Sequence, residues 1–310
     1  MIRIAALFLL FATGFAQDCY DNLTSIYEEI GDDSKVDEPK RFVLCPNTIF
    51  DAGFLVPGEG ITGGQFPLIP RSNTEYSCGE DGSSANNCII RGGDFGMMSV
   101  PIFFRNDQAV DNVVLKGITF ERQEQYGIFL GMPGDIIYED CIVRDQENLG
   151  PVFVNYESEV LDDAQNLDVT FSSSLFSNNT QAARGLGIEF GVMTIRGDAY
   201  TKVTVDSCLF TQNQYGNPIN APIGYAIHAY PNTNLILKNS CFVENSFLGG
   251  GTVVVAEDSF FALIGANHAD GGADFILICD YVARYPTEQD RANLNPTCIP
   301  SQSDVCLLQR

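Results

Sequence analysis

Arg184, Glu189, Arg196, Asp198 and Lys202 lie close together in the chain, with Asp206 just beyond and His228 one repeat further on. Carboxylates on adjacent segments can ligate a hard cation such as Ca2+, and an Arg or Lys beside them can take a proton from a substrate carbon. The same residues also suit a solvated outer face, where charge is expected without any chemistry. His228 sits among Ala226, Ile227, Ala229 and Tyr230, so a slip of one residue decides whether its ring faces core or solvent. Zinc chemistry has little to work with, because His228 and His268 are the two histidines and none of the 10 cysteines forms a CxxC pair. Ca2+ is the one cofactor these residues could hold.

A repeat must position those groups. Residues 112–123 (NVVLKGITFERQ), 135–146 (DIIYEDCIVRDQ), 167–179 (LDVTFSSSLFSNN), 202–213 (KVTVDSCLFTQN) and 235–245 (LILKNSCFVEN) share one plan. Each has alternating apolar residues, a small residue, an apolar anchor and a polar turn. The anchors Phe120, Val143, Phe176, Phe210 and Val243 are separated by steps of 23, 33, 34 and 33. Between the copies lie Gly-flanked segments that also read as strands, such as YGIFLG, PVFVNY and GYAIHAY. No helical period fills the connections, which argues against βαβ units, and the hairpin signals of propeller blades are missing.

The expected fold is all-β: a parallel β-helix solenoid of about eight to ten turns, in which equivalent side chains stack at the inter-strand spacing of ~4.8 Å. Gln123, Gln146, Asn179 and Asn213 occupy one turn site, with Asn245 one place off, and such amides can hydrogen-bond along a column. Ile118, Cys141, Ser174, Cys208 and Cys241 read as another column, a packing position rather than a nucleophile. The segment CYDNLTSIYEEIG places Leu23, Ile26, Tyr27 and Ile30 on one face of a capping helix. The divisions are a signal peptide over 1–16, an N-terminal cap over 17–40, the β-helix over 41–278 and a disulfide-pinned tail over 279–310. The first core strand is expected at Arg41, and 51–71 reads as a lateral loop.

The signal peptide is MIRIAALFLLFATGFA, with early Arg3, an apolar run and small residues before the cut. It implies a secreted chain, extracellular or in the cell wall. With 17 basic against 40 acidic residues the net charge is −23, which excludes nucleic acid as a partner for want of a basic stripe. No membrane span is expected, and the oligomeric state is open. In an oxidising compartment the cysteines should pair. Cys78 and Cys88 bracket a turn-rich loop and are expected to bond, as are Cys19 with Cys45 and two of Cys279, Cys298 and Cys306. Asn22 and Asn178 open sequons and are candidate glycosylation sites.

The coil pattern resembles the right-handed parallel β-helix, or pectate-lyase-like, superfamily. More narrowly, RFVLCPNTIFDAG, CGEDGSSANNCIIRGG and repeats of the form SCLFTQN look like secreted β-helix proteins of diatoms and related algae. These motifs are structural, so the resemblance implies fold and secretion rather than an activity. The polygalacturonase-like motifs NTD, DD, GHG and RIK do not occur in the required contexts. Lyase-like elimination would need acidic Ca2+ ligands on adjacent turns and a basic residue aimed at C5 of a uronate, for which Arg184, Glu189, Arg196, Asp198, Lys202 and His228 are the candidates. The expected function is a non-catalytic extracellular or cell-wall protein that binds polysaccharide or matrix components. The alternative is a polysaccharide lyase or hydrolase with a divergent site, and a third reading is an adhesion module using the acidic faces. Tyr126, Tyr156, Tyr215, Tyr225 and Tyr230 are read as outward rings that could stack on sugars.

Overall fold

The computed structural model describes residues 19–30, 35–56, 60–99, 109–147, 150–156, 165–180, 191–215, 225–247, 254–256, 260–264 and 268–269. The expected signal peptide (1–16), the whole expected tail (279–310), Arg184 and Glu189 lie outside these residues.

The fold is all-β, and its three large sheets are parallel. The first sheet has eight strands in spatial order Lys35–Leu44, Ser72–Cys78, Val110–Lys116, Gly134–Glu139, Leu167–Ser172, Thr201–Asp206, Asn234–Lys238 and Phe260–Ile264. The second sheet has eight short strands, from Ile49–Asp51 through Cys88–Arg91, Ile118–Glu121, Ile142–Arg144, Leu175–Ser177, Leu209–Thr211 and Cys241–Val243 to His268–Ala269. The third has six, from Phe95–Ser99 through Tyr126–Leu130, Gly150–Tyr156, Gly191–Gly197 and Tyr225–Ala229 to Val254–Ala256. The chain visits the sheets in a fixed order, and six repeats contribute one strand to each; the first and last described repeats contribute to the first two sheets only.

Strand alternation places every second side chain inside. In the first sheet Ile136, Val169, Val203 and Leu235 are in register, as are Tyr138, Phe171, Val205 and Leu237, and all eight are buried. Rings stack along the columns, with centroids 4.7 Å apart for Tyr138–Phe171, 4.5 Å for Phe176–Phe210 and 4.7 Å for Phe210–Phe242. Spacing near the strand separation lets each ring cover its neighbour, which favours like on like.

Two corners turn the chain between sheets, and each is a column of left-handed residues. Before the second sheet the column is Asn87, Gly117, Asp140, Ser173, Ser207 and Asn239, with φ between 46° and 65°. A Cβ on Gly117 would lie 2.5 Å from the carbonyl oxygen of Gly82, so glycine is required there. After the second sheet the column is Gly92, Arg122, Asp145, Asn178, Gln212 and Glu244. From Arg122 onward each second corner is followed by a member of the amide column, whereas Gly92 is followed by Gly93. The carboxamide of Asn179 donates to Asn213 Oδ1 at 2.8 Å and to the carbonyl of Val143 at 3.1 Å. Its own Oδ1 accepts from the Gln146 N–H at 3.2 Å. Asn213 repeats the pattern toward Asn245 Oδ1 and the Phe176 carbonyl, both at 2.9 Å. The turns' backbone groups are thereby satisfied without water.

The last repeat is shifted by one residue from the sequence alignment. Phe210 pairs with Phe242, not Val243, and Leu209 pairs with Cys241. Ser240 therefore takes the place next to Cys208, and the Cys208 N–H donates to Ser240 Oγ at 3.2 Å. Asn245 then falls three residues past its anchor, in the amide column. The Ser-Cys echo misleads because the loop preceding the last repeat is one residue shorter in register terms than the Cys208–Cys241 spacing suggests.

Cys19 is bonded to Cys45 and Cys78 to Cys88, while Cys141 and Cys208 are buried thiols. Helix α1, Leu23–Ile30, starts where Asn22 Oδ1 accepts the Thr24 N–H at 2.8 Å, and it buries Leu23 and Ile26. The first strand begins at Lys35 rather than Arg41. Within 51–71, Phe54–Val56 and Gly60–Thr62 form an antiparallel hairpin instead of an unstructured loop.

Candidate functional site

The described members of the proposed catalytic group do not gather at one place. Lys202 lies on the outer face of the first sheet, its Nζ 3.2 Å from Asp168 Oδ2. Asp206 is also on that face, four residues along the same strand, and faces Lys238 Nζ at 3.9 Å. Arg196 is exposed on the third sheet, in register with Asn155, and Asp198 follows just after that strand ends. His228 is on the third sheet too, at 1% exposure, with its ring 4.8 Å from that of Tyr225 and 4.3 Å from that of Tyr230. It is packed between aromatic rings. Among the described residues no group of three or more His, Cys, Asp or Glu side chains could hold a metal ion.

The first sheet does bring carboxylates near one another. Asp135 is in register with Asp168, and Asp111 belongs to the preceding turn. Partial burial, then the charges of Asp168 and Asp111, raise the Asp135 carboxyl above the usual range, and Lys202 opposes the shift. These groups line a flat strand face rather than a cleft. Lys202 is engaged with Asp168 on this open face and is not directed into a cleft where a substrate could be enclosed.

The outer face of the third sheet is different in kind. Its inward residues are Met97, Ile128, Val152, Met193 and Ile227, all fully buried. The neighbouring positions point out: Met98, Phe129, Phe153, Thr194 and His228 are in register across five turns. A parallel outward column holds Phe95, Tyr126, Gly150, Gly191 and Tyr225. In the first three turns the rings form one cluster. Tyr126 stacks on Phe153 with centroids 4.9 Å apart, Phe129 lies 5.6 Å from Phe153 and 5.5 Å from Tyr126, and Phe95 lies 5.8 Å from Phe129. Asp94 Oδ2 accepts the Leu55 N–H at 2.8 Å and so holds the Phe54–Val56 hairpin against this cluster. Phe129 and Phe153 are half-buried, whereas Phe95 and Tyr126 are each 8% exposed.

Of the tyrosines expected outside, Tyr156 and Tyr215 are in the core, at 2% and 0% exposure. Tyr156 continues the alternation of Val152 and Val154, and its ring joins the main core, with its hydroxyl donating to the Gln165 carbonyl at 2.7 Å. Tyr126 and Tyr225 point outward but are largely covered, and Tyr230 is half-buried. The most exposed residues of the aromatic face, Phe129 and Phe153, were legible only as alternates of the core positions, and Phe95, an even step from the inward Met97, was not legible that way. Once Ile128 and Val152 are assigned inward, their successors must face out.

Asn178 is exposed, and its carboxamide donates to Asp145, while Asn22 is half-buried as the cap of α1. No helix among the described residues is long and apolar enough to cross a membrane. Comparison of the chain with family models, with curated proteins and with solved structures finds no match in any of the three.

Proposed function

We propose that the protein is a secreted, disulfide-stabilised, right-handed parallel β-helix, capped at its N-terminal end by α1, that binds polysaccharide of an extracellular matrix or cell wall without cleaving it. The fold reading rests on the repeated visit to three parallel sheets and on the stacked columns. Its likeness to pectate-lyase-like and algal secreted β-helix proteins rests on the sequence motifs quoted above. The binding reading is carried by one observation, the half-buried outward rings of Phe129 and Phe153, backed by the covered rings of Phe95 and Tyr126. Sugar rings present apolar C–H faces, and rigid aromatic rings receive them at low entropic cost. A chain folded on the repeat period of ~4.8 Å gives such a face length without any cleft.

A lyase is the second reading, favoured by Asp111, Asp135 and Asp168 beside Lys202. The ion pair of Lys202 and the flatness of that face weigh against it. A screen of the secreted protein on a glycan array, with absorbance of unsaturated product followed on acidic polysaccharides, separates the two. The expected result is retention of at least one polysaccharide class with no product absorbance. Release of unsaturated product would overturn the non-catalytic reading, and failure to retain any glycan would overturn the binding reading.

A further inference from the structure

The second sheet presents an outward column of Ile49, Ile89, Thr119, Ile142, Leu175, Leu209 and Cys241. It is apolar at every turn but one. The column beside it runs Asp51, Arg91, Glu121, Arg144, Ser177, Thr211 and Val243. Its early turns carry ion pairs, Arg91–Asp51 at 3.3 Å and Arg144–Glu121 at 2.9 Å, as a solvated face should. Its last turn changes to valine. There Cys241 and Val243, outward by register, are 0% and 4% exposed, and Leu209 packs against them. Next to this covered end, Ile142, Leu175 and Leu209 remain half-buried along a groove of about 310 Å³, rimmed by Ser84, Asp140, Ser173 and Ser207.

The cysteines say what lies at the covered end. Cys241 is disulfide-bonded, yet Cys19, Cys45, Cys78 and Cys88 pair among themselves and Cys141 and Cys208 are thiols. Of the 10 cysteines, that leaves Cys279, Cys298 and Cys306. We propose that residues 270–310 are tethered to Cys241 through one of these cysteines and run along the apolar column of the second sheet, over Leu209 and Leu175 toward Ile142. The three steps from Cys241 to Ile142 span only ~14 Å at the inter-strand spacing, so a few extended residues suffice. The segment offers apolar runs beside two of the candidates, 275–278 (FILI) before Cys279 and Leu307–Leu308 after Cys306. Burying them on Leu175 and Leu209 removes an apolar stripe that would otherwise invite association.

Two measurements on the full chain test the proposal. A peptide map of the unreduced, unaltered protein should recover Cys241 joined to a peptide that holds Cys279, Cys298 or Cys306. Recovery of Cys241 as a thiol, or joined to any other cysteine, overturns the tether. Leu175→p-benzoylphenylalanine, irradiated in the monomeric fraction, should crosslink to peptides within 270–310, while the same probe at Thr170 on the first sheet should not. Crosslinks from position 175 only to another copy, to other parts of the chain, or to nothing overturn the course of the strap.

Discussion

The amide column and the aromatic face of the third sheet are spaced by the same strand register, but they are held to different standards. In the amide column the inner members Gln146, Asn179 and Asn213 are fixed by partners above, below and behind. Asn179 alone serves Asn213, the Val143 carbonyl and the Gln146 N–H, and neither glutamine nor asparagine could be lost without stranding backbone groups. On the third sheet the outward columns read Phe95–Tyr126–Gly150–Gly191–Tyr225 and Met98–Phe129–Phe153–Thr194–His228, with no single side-chain type kept. A stack of strands constrains what points in and leaves free what points out. Binding chemistry therefore belongs on the outer faces, and the columns inside report only on folding.

The sharpest break in this comparison is Asn179→Ala. It strands buried groups on two neighbouring turns and leaves a cavity, so unfolding in urea should lose about 3–5 kcal/mol. Cys208→Ser should cost far less, about 1 kcal/mol. A serine there can donate to the Asp206 carbonyl, as Ser174 does to that of Ser172 at 3.0 Å and Ser240 to that of Lys238 at 2.7 Å. Burial pushes the Cys141 and Cys208 thiols up to about 12, so a thiol reagent at neutral pH should react with neither until the protein is denatured. The smallest effect concerns the acidic face. Asp135 has a raised folded-state pKa, so the folded state resists its ionisation, and its contribution to stability falls as pH rises through the carboxylate range. Asp135→Asn should raise the melting temperature at pH 7 and leave it nearly unchanged at pH 3.

Much of the fold is written in the sequence because the repeat is short and its columns are chemical. Phe120, Phe176 and Phe210 mark the second sheet, and Gln123, Gln146, Asn179 and Asn213 mark the corner after it. The last repeat was misaligned for a local reason: Ser-Cys recurs at 207–208 and 240–241, but backbone pairing follows the apolar alternation that sets Phe242 on Phe210. The left-handed corner after the second sheet was not legible as a column because Arg122, Gln212 and Glu244 are not residues that announce a positive φ. The aromatic face was half legible. Tyrosine invites an outward reading for its hydroxyl, yet Tyr156 and Tyr215 fill the core while phenylalanines line the outside. The acidic stack depended on Asp111, Asp135 and Asp168 meeting across turns, a matter of register that charge alone does not disclose.

The central claim is that the third sheet's outer rings bind and the inner columns hold the fold. The most direct test is the double variant Phe129→Ala/Phe153→Ala, measured for affinity to whichever polysaccharide the protein retains and for unfolding in the same buffer. Affinity should fall by tenfold or more, from the loss of two stacking rings, while stability drops by no more than about 2 kcal/mol. Undiminished affinity in a folded double variant would contradict the account.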